Sequence, residues 1–265
     1  MPEGHTIHRL ARDLRRTLGD HPVRARSPQG RFTEGARAID GLPMATAAAW
    51  GKHLFVEFDG LDDRQLHVHL GLIGKFRPTA LDTPERDTIR LRLEGADTAW
   101  DLTGPQDCRL IDPAERDVIV DRLGPDPLRR GKGFARFAEA LERRRIAIGA
   151  ALLDQSVVAG IGNVYRAEFL FLIGVDPHRA ANSLTSTEVE LLWSTAGEQL
   201  RQGVRLNRIV TVTRADAGAS AGRLQRDDAL YVYKRDGLPC RRCGTEVAIG
   251  EIAGRSCWWC SRCQR

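Results

Sequence analysis

The chain has 265 residues, of which 42% are hydrophobic, enough to bury the core of one large domain or of two ordinary ones. Its 40 Lys and Arg residues exceed its 35 Asp and Glu residues, and the net charge of +5 favours nucleic acid as a partner only weakly. The sequence contains no run of about 18 apolar residues and no signal-peptide pattern. We therefore expect no membrane association and a cytoplasmic location.

The first half of the chain changes from a helical pattern to a strand pattern. Apolar residues at helical spacing predict an amphipathic helix over residues 5–19, which would anchor the beginning of the chain. From Val23 to Leu110, short runs alternate between apolar and polar residues, for example over 54–58 and 65–70. These runs predict a β-sandwich or a barrel-like sheet.

The second half begins with turn residues and then becomes helical. Residues 134–210 predict several helices, with breaks at Gly160-Ile161-Gly162, at Asp176-Pro177 and over 183–187. Little periodicity remains over 211–230, which predicts a flexible loop. The expected organisation is a first domain over 1–122, a hinge over 123–133, a helical domain over 134–210, a loop over 211–230 and a C-terminal ribbon over 231–265.

The cysteines cluster at the C-terminus. Five of the six lie in the last 26 residues, apart from Cys108, which is typical of a local metal site in a reducing compartment. Cys240 and Cys243 form one CxxC pair, and sixteen residues separate it from a second pair, Cys260 and Cys263. Four thiolates at this spacing predict one zinc ion (Zn2+) in a closed tetrahedral site with a structural role.

Other interpretations of this segment stay open. Cys257 also forms a CxxC pair with Cys260, but only thirteen residues then follow Cys243, fewer than the usual spacing of about 15–20. Unliganded core cysteines are a further alternative. The ribbon also carries five arginines, which would form either a phosphate-binding surface or a solvated basic face: Arg241, Arg242, Arg255, Arg262 and Arg265.

A second motif runs from Gln155 to Glu168. Two glycines one residue apart, Gly160 and Gly162, permit a tight turn between helices, and Asn163 then lies where a new helix begins. The amides at that helix N-terminus would bind a phosphate. The alternative is a plain turn in which the Asn163 side chain caps the helix.

Four separated motifs together resemble the formamidopyrimidine-DNA glycosylase and endonuclease VIII family. They are Met1-Pro2-Glu3-Gly4, Gly51-Lys52, residues 155–168 and the C-terminal cysteines, and the resemblance covers nearly the whole chain. It is closer to the endonuclease VIII branch, because Gly4 follows Glu3 and because Leu72-Ile73-Gly74 lacks the methionine usual in the other branch. His5 and Thr6 depart from the Pro-Glu common among relatives.

The resemblance implies an α+β fold, with a leading helix and an N-terminal β-sandwich, then a helix–two-turn–helix domain that ends in a zinc-finger β-hairpin. It implies a monomeric bifunctional DNA glycosylase and abasic-site lyase of base excision repair, associated with the nucleoid if the organism is bacterial. Double-stranded DNA with a damaged base or an abasic site would lie between the domains. We expect oxidised pyrimidines as substrates, with oxidised purines and formamidopyrimidines as the alternative. A DNA-binding module that has lost its chemistry is the alternative from another class.

The implied catalytic residues begin with Pro2. Removal of Met1 would free a secondary amine with a pKa of about 8, so that a useful fraction is neutral at pH 7. Attack on the sugar C1′ would displace the base and form an iminium that serves as an electron sink. Glu3 would act as general acid or base during ring opening. By resemblance, Lys52 assists base release and β-elimination. Standing alone, Pro2-Glu3 would indicate an ordinary terminus and Lys52 a solvated side chain.

The resemblance implies roles for four further residues. Arg255 matches an arginine that clamps phosphates and is associated with δ-elimination. Glu168 falls on a position linked to elimination, with a capping or salt-bridge role as the alternative. Leu72 would fill the space left by a flipped nucleotide, unless it is a core leucine. Arg122 matches a DNA-contacting arginine.

His67 and His69 lie on one face of a predicted strand, a spacing that is compatible with metal binding. We expect a buried polar network there instead and assign no metal to these residues.

Overall fold

The computed structural model describes residues 2–218, 224–225 and 227–265. The chain forms two compact units, Met1–Arg122 and Leu123–Arg265. Within the described residues, no helix is both long enough and apolar enough to cross a membrane. The predicted loop over 211–230 lies partly outside this description, at residues 219–223 and 226.

The first unit contains α1 (Gly4–Leu18), β1 (Arg24–Arg26), α2 (Thr33–Ile39), β2 (Met44–Trp50), β3 (His53–Phe58), β4 (Gln65–His69), β5 (Lys75–Thr79), β6 (Ile89–Glu94), β7 (Ala99–Thr103), β8 (Asp107–Ile111) and α3 (Pro113–Asp121). Its strands form two antiparallel four-stranded sheets, in the orders β2-β3-β4-β8 and β1-β6-β7-β5. Alternate residues of both sheets, among them Val56, Val68, Leu93 and Leu102, are buried in one core. The predicted β-sandwich is therefore confirmed.

Helix α1 fixes the N-terminal residues on this sandwich. Its buried Ile7, Leu14 and Leu18 recur at helical spacing and join the core beside strand β2. Each such side chain contributes about 1.5–3 kcal/mol on full burial. The indole Nε1 of Trp100 also donates to Thr17 Oγ1 at 2.9 Å. The residues just before the helix are thus attached to a rigid element.

The second unit begins with helices and ends in a ribbon. Its elements are α4 (Gly133–Glu142), α5 (Ile148–Ala151), α6 (Asn163–Ile173), a 3₁₀ turn (Ala181–Ser183), α7 (Ser186–Leu206), β9 (Ala248–Ile252) and β10 (Arg255–Trp259). Phe137, Tyr165, Phe169, Leu192 and Leu200 are among the residues of the helical core.

Two of the predicted breaks have clear local causes. The backbone N–H of Gly160 donates to Gln155 Oε1 and the Gln155 amide donates to the carbonyl of Ile161, both at 3.0 Å, so that Gln155 ties the turns before α6 together. Gly160 has φ +94°, which favours glycine. Helix α7 begins after a capping box between Thr185 and Glu188.

The ribbon is an antiparallel hairpin with a two-residue turn, in which Ala253 and Gly254 have φ of +54° and +69°. A small apolar cluster holds it to the end of α6, with Phe171, Val232, Val247 and Trp258 among its members. The predicted helical region and C-terminal hairpin are confirmed.

Candidate catalytic residues and metal centre

Pro2 and Glu3 lie immediately before α1. Glu3 occupies the N-cap position with an extended backbone, but its side chain makes no capping hydrogen bond. The side chain is nevertheless fully buried, whereas Pro2 is partly exposed. A carboxylate at an N-cap usually accepts from the first helical amides. Glu3 thus lies at the N-cap with its side chain buried and without the usual capping hydrogen bond.

Lys52 lies in the turn of the β2–β3 hairpin, immediately before β3 begins. Trp50 and His53 are the last paired residues, so that Gly51 and Lys52 form a two-residue turn. Gly51 has φ +56°, a left-handed conformation that glycine adopts without strain. The turn places the partly exposed Lys52 at the end of the sheet where β2 and β3 meet.

The histidines next to Lys52 form a polar chain on the outer face of this sheet. His53 Nδ1 lies 2.9 Å from His67 Nε2, and His67 Nδ1 lies 3.1 Å from Asp107 Oδ2. His67 is only 2% exposed. Burial is the main cause that lowers the pKa of His53 to about 3 and that of His67 to about 4. His67 thus belongs to a polar network, as expected from the sequence.

Leu72 lies in the turn between β4 and β5 and is 64% exposed. The alternative of a core leucine is therefore wrong. Its neighbour Ile73, which sequence reasoning passed over, is 79% exposed. Two large apolar side chains side by side in water are costly to maintain unless another surface covers them. Their signal in the sequence was an apolar pair between Gly71 and Gly74.

Arg122 ends helix α3 as its C-cap residue and is exposed. Arg109 differs, since its guanidinium pairs with Asp107 at 3.0 Å and with Glu115 at 2.6 Å. The charge of Arg109 is therefore already paired with two carboxylates of the first unit.

Asn163 is the first residue of α6, and Gly162 is the N-cap. The alternative of an Asn163 cap is wrong, because the Asn163 amide donates to the carbonyl of Ser256 in β10 at 3.0 Å. Arg166, another residue that sequence reasoning missed, donates to Asn163 Oδ1 and, at 2.8 Å, to the same Ser256 carbonyl. The start of α6 and the ribbon are thus joined by hydrogen bonds. The i, i+3 spacing of Asn163 and Arg166 was the available signal.

Glu168 is completely buried and binds the backbone of a distant segment. Its carboxylate accepts from the backbone N–H groups of Tyr231, Val232 and Tyr233 at 2.8–2.9 Å. The Thr211 hydroxyl donates to the same group. Three consecutive amides that converge on one carboxylate form an anion-binding nest. The observed contacts are neither a helix cap nor a salt bridge, and they make Glu168 an anchor for the chain on both sides of residues 219–226.

We expect Glu168→Gln to loosen this anchor. The neutral side-chain amide is a weaker acceptor than the carboxylate, and its own NH₂ group would face the backbone N–H donors. Hydrogen bonds to a charged group are each worth about 1.5–3 kcal/mol, so the loss in unfolding free energy should be of that order or larger. Amide hydrogen exchange should accelerate at residues 231–233. The matched control is Glu190→Gln on the exposed face of α7, and equal protection in both variants would contradict the anchoring role.

Four cysteines of the ribbon converge on one point. The ligand sulfurs of Cys240, Cys243, Cys260 and Cys263 all lie within 4.8 Å of one another. Tetrahedral Zn–S bonds of about 2.3 Å require sulfur separations of about 3.8 Å. The separations of 3.9 Å for Cys240–Cys263 and 3.5 Å for Cys243–Cys260 fit that requirement. The group can therefore hold a metal ion, and Cys257, buried in β10, lies outside it.

The arginines of the ribbon divide into two sets. Arg241 donates to the Asp227 carbonyl at 2.8 Å and pairs with Asp228 at 3.0 Å. The Arg242 guanidinium lies over the rings of Phe171 and Tyr231, at 4.8 Å and 4.9 Å from their centroids. These two arginines therefore bind the protein itself. Arg255, Arg262 and Arg265 are exposed, as is Arg242 itself.

Comparisons with known proteins agree with this architecture. The chain matches the formamidopyrimidine-DNA glycosylase N-terminal domain over residues 1–113 and the H2TH domain of the same glycosylases over residues 123–215. It is 41% identical over 269 aligned residues to Endonuclease 8 1 of Mycobacterium tuberculosis, with 100% of both chains covered. It is 43% identical over 234 residues to the formamidopyrimidine-DNA glycosylase of Desulfitobacterium hafniense, covering 86% of this chain and 84% of the relative.

Solved structures of similar fold include Lactococcus lactis Fpg in a complex with DNA that contains an abasic site. Its TM-score is 0.80 at 27% identity, with 99% of both chains covered. A complex of Lactococcus lactis Fpg with FAPY-dG containing DNA has a TM-score of 0.79 at 26% identity and covers 98% of this chain and 99% of the other. Both domain matches and the full-length relative show that the chain belongs to the formamidopyrimidine-DNA glycosylase family of DNA repair enzymes.

Proposed function

We propose that this protein is a bifunctional DNA glycosylase and abasic-site lyase that removes oxidised bases, preferentially pyrimidines, from double-stranded DNA. The observation that carries the proposal is the Pro2-Glu3 pair attached to the sandwich by α1, with a buried Glu3 carboxylate that does not cap the helix. Full-length similarity to a relative named Endonuclease 8 1 favours the pyrimidine preference. Oxidised purines and formamidopyrimidines are the competing substrates, since another relative is a formamidopyrimidine-DNA glycosylase.

The chemistry begins at the Pro2 amine once Met1 has been removed. The neutral amine attacks C1′, the bond from C1′ to the base breaks, and the sugar ring opens to an iminium. A secondary amine keeps no N–H after condensation, so that the iminium stays cationic and withdraws electrons from the C2′–H bond. Glu3 supplies the proton for ring opening. Abstraction of the C2′ proton then expels the 3′ phosphate.

Two cations assist elimination. Lys52, held in its turn by Gly51, helps base release and β-elimination. Arg255 begins β10 directly after the Ala253-Gly254 turn and is exposed. Its planar guanidinium can make two hydrogen bonds to one phosphate, which suits stabilisation of the phosphate that leaves in δ-elimination.

DNA contacts come from both units. Leu72 enters the base stack where the damaged nucleotide has turned out, since the exposed leucine gains by leaving water. Arg122 neutralises backbone phosphate. Asn163 marks the N-terminus of α6, where the helix dipole favours a phosphate. We assign Glu168 a positioning role in elimination, through the segment it anchors, because its carboxylate is buried and already accepts four hydrogen bonds.

We propose that zinc occupies the four-cysteine group. The sulfur separations fit it, and an all-thiolate set is soft and closed. When bound, the metal would supply structural stability to the ribbon that carries Arg255.

The metal ligands can be separated by single substitutions. We expect Cys263→Ser to lose the zinc and to weaken DNA binding, because the ribbon loses its cross-link. Cys257→Ser should retain one zinc per chain, since this thiol lies outside the group. Metal content measured by atomic emission on the purified proteins checks both, and loss of zinc from the Cys257 variant would overturn the ligand set.

Borohydride trapping on abasic DNA tests the proposed function. A Schiff-base enzyme is reduced to a stable covalent adduct, whereas a DNA-binding module without chemistry gives none. Incision of duplexes that each contain one defined lesion would then rank pyrimidine against purine substrates. Absence of an adduct under conditions where the protein binds the same DNA would favour the non-catalytic alternative.

A further inference from the structure

A row of polar residues crosses three strands next to the Lys52 turn. His53 pairs with His69 in the β3–β4 register, and His69 pairs with Asp107 in the β4–β8 register. The His53 and His69 ring centroids are 4.8 Å apart. The row therefore lies at the end of the sheet where the Gly51-Lys52 turn joins β2 to β3.

Asp107 and His53 are joined by hydrogen bonds through His67, which lies two residues before His69 in β4, and these hydrogen bonds have a defined direction. The Asp107 carboxylate, paired with Arg109 at 3.0 Å, can only accept, so His67 Nδ1 must carry a proton. In a neutral ring, His67 Nε2 is then the acceptor, and His53 Nδ1 must donate to it. His53 is also neutral, which leaves its Nε2 as a lone-pair acceptor. The carboxylate thus fixes the tautomer of a histidine two hydrogen bonds away.

This direction requires neutral histidine rings, and the surroundings of the row favour them. Burial is the main cause that lowers the pKa of both His53 and His69, and the positive charge of Lys52 adds to the effect at both rings. On the β8 side, Arg109 pairs with Asp107 and with Glu115 of α3. Arg116 of the same helix lies over the Phe55 ring at 5.5 Å. Of these three cations, Lys52 is the one that immediately precedes His53 in the chain.

We propose that the Asp107–His67–His53 chain presents His53 Nε2 as a hydrogen-bond acceptor to the Lys52 ammonium group, which makes His53 and His67 positioning residues for Lys52. This inference rests on the proposed function, in which Lys52 takes part in elimination. A lysine has four rotatable side-chain bonds, and an acceptor of fixed orientation would restrict its ammonium group to one place. Misplacement of a reacting group by about 1 Å can cost about 10²-fold in rate.

Two substitutions at His67 separate this role from simple packing. His67→Leu removes the acceptor for His53 and fills similar space. His67→Gln preserves the direction of the chain, because Gln Oε1 can accept from His53 while Gln Nε2 donates to Asp107. His178→Leu is the matched control, since His178 also pairs with an aspartate, Asp176 at 2.8 Å, but in an exposed pair of the second unit.

The readouts are the ¹⁵N resonances of the histidine rings, which report the tautomer, and single-turnover cleavage of a pre-formed abasic site. We expect wild-type His53 to carry its proton on Nδ1. In His67→Leu it should shift toward the Nε2-protonated form, and cleavage should slow by about 10–100-fold. His67→Gln should recover most of the rate, and His178→Leu should match the wild type. Thermal unfolding of each variant verifies the fold.

Three results would overturn the proposal. The first is a His53 tautomer that does not change in His67→Leu, and the second is a changed tautomer with an unchanged cleavage rate. The third is a Gln variant that cleaves as slowly as the Leu variant although both are folded. A wild-type protein that neither traps nor cuts abasic DNA would contradict the proposed function instead, while the tautomer measurement would still report the hydrogen-bond chain.

Discussion

A protein whose Pro2 amine is blocked, by retained Met1 or by an N-terminal extension, should lose both base removal and borohydride trapping. We expect single-turnover rates to fall by more than about 10³-fold, because an acylated nitrogen has no lone pair available to attack C1′. Affinity for the same DNA should change little. The proposed phosphate contacts lie elsewhere, at Arg122 and at the start of α6. Binding and chemistry would therefore separate in one variant.

The matched control is an extension that a protease can remove to leave Pro2 as the first residue. Removal should restore excision and trapping together, because α1 attaches Pro2 to the sandwich in either form. Measurements should use an excess of enzyme over DNA, so that product release does not limit the rate. A blocked protein that still cuts a pre-formed abasic site at the normal rate would rule out Pro2 as the nucleophile.

Local patterns predicted much of the fold. Apolar spacing identified α1 to within one residue at each end, and alternation identified the strands of the sandwich. The Gly160-Ile161-Gly162 break was predictable because glycine permits a left-handed backbone without strain. Four cysteines were predictable as one group because the ligand distance within a CxxC pair is set by the chain itself. These features depend on neighbours in sequence.

The remaining features depend on contacts between distant residues. Glu168 binds amides 63–65 residues further along the chain, which no local spacing could indicate. His67 reaches His53 on the neighbouring strand, 14 residues earlier, rather than His69 on its own. The Asn163 amide donates a hydrogen bond to the carbonyl of Ser256 in β10, 93 residues away, instead of capping its helix. Each of these side chains has several possible hydrogen-bond partners, and the tertiary structure determines which of them lies within reach.

The ribbon illustrates the same point for charge. Five arginines predicted a basic surface, but Arg241 and Arg242, the two residues between Cys240 and Cys243, bind the protein itself. The CxxC turn thus supports the segment that ends at Tyr231. Arg255 is left as the exposed cation of the hairpin turn. Net charge alone could not identify the arginines that contact the protein itself.

Glu3→Gln should slow base release by about 10²–10⁴-fold, the usual contribution of a positioned acid or base. Cleavage of an abasic site should slow far less. An abasic sugar exists partly as a free aldehyde, which condenses with the Pro2 amine without a leaving base or a closed ring to protonate. Part of the work assigned to Glu3 is then already done. The ratio of the two rates should therefore change strongly in this variant.

This ratio also separates chemistry from folding. Glu3 is fully buried before α1, and the amide of glutamine has nearly the same shape. Damage to the attachment of α1 would displace Pro2 and lower both rates together. Loss of the acid alone would lower base release selectively. Glu34→Gln, on the exposed side of α2, is the matched control and should leave both rates unchanged. Equal slowing on intact-lesion and abasic DNA would therefore assign Glu3 to positioning the terminus rather than to proton transfer.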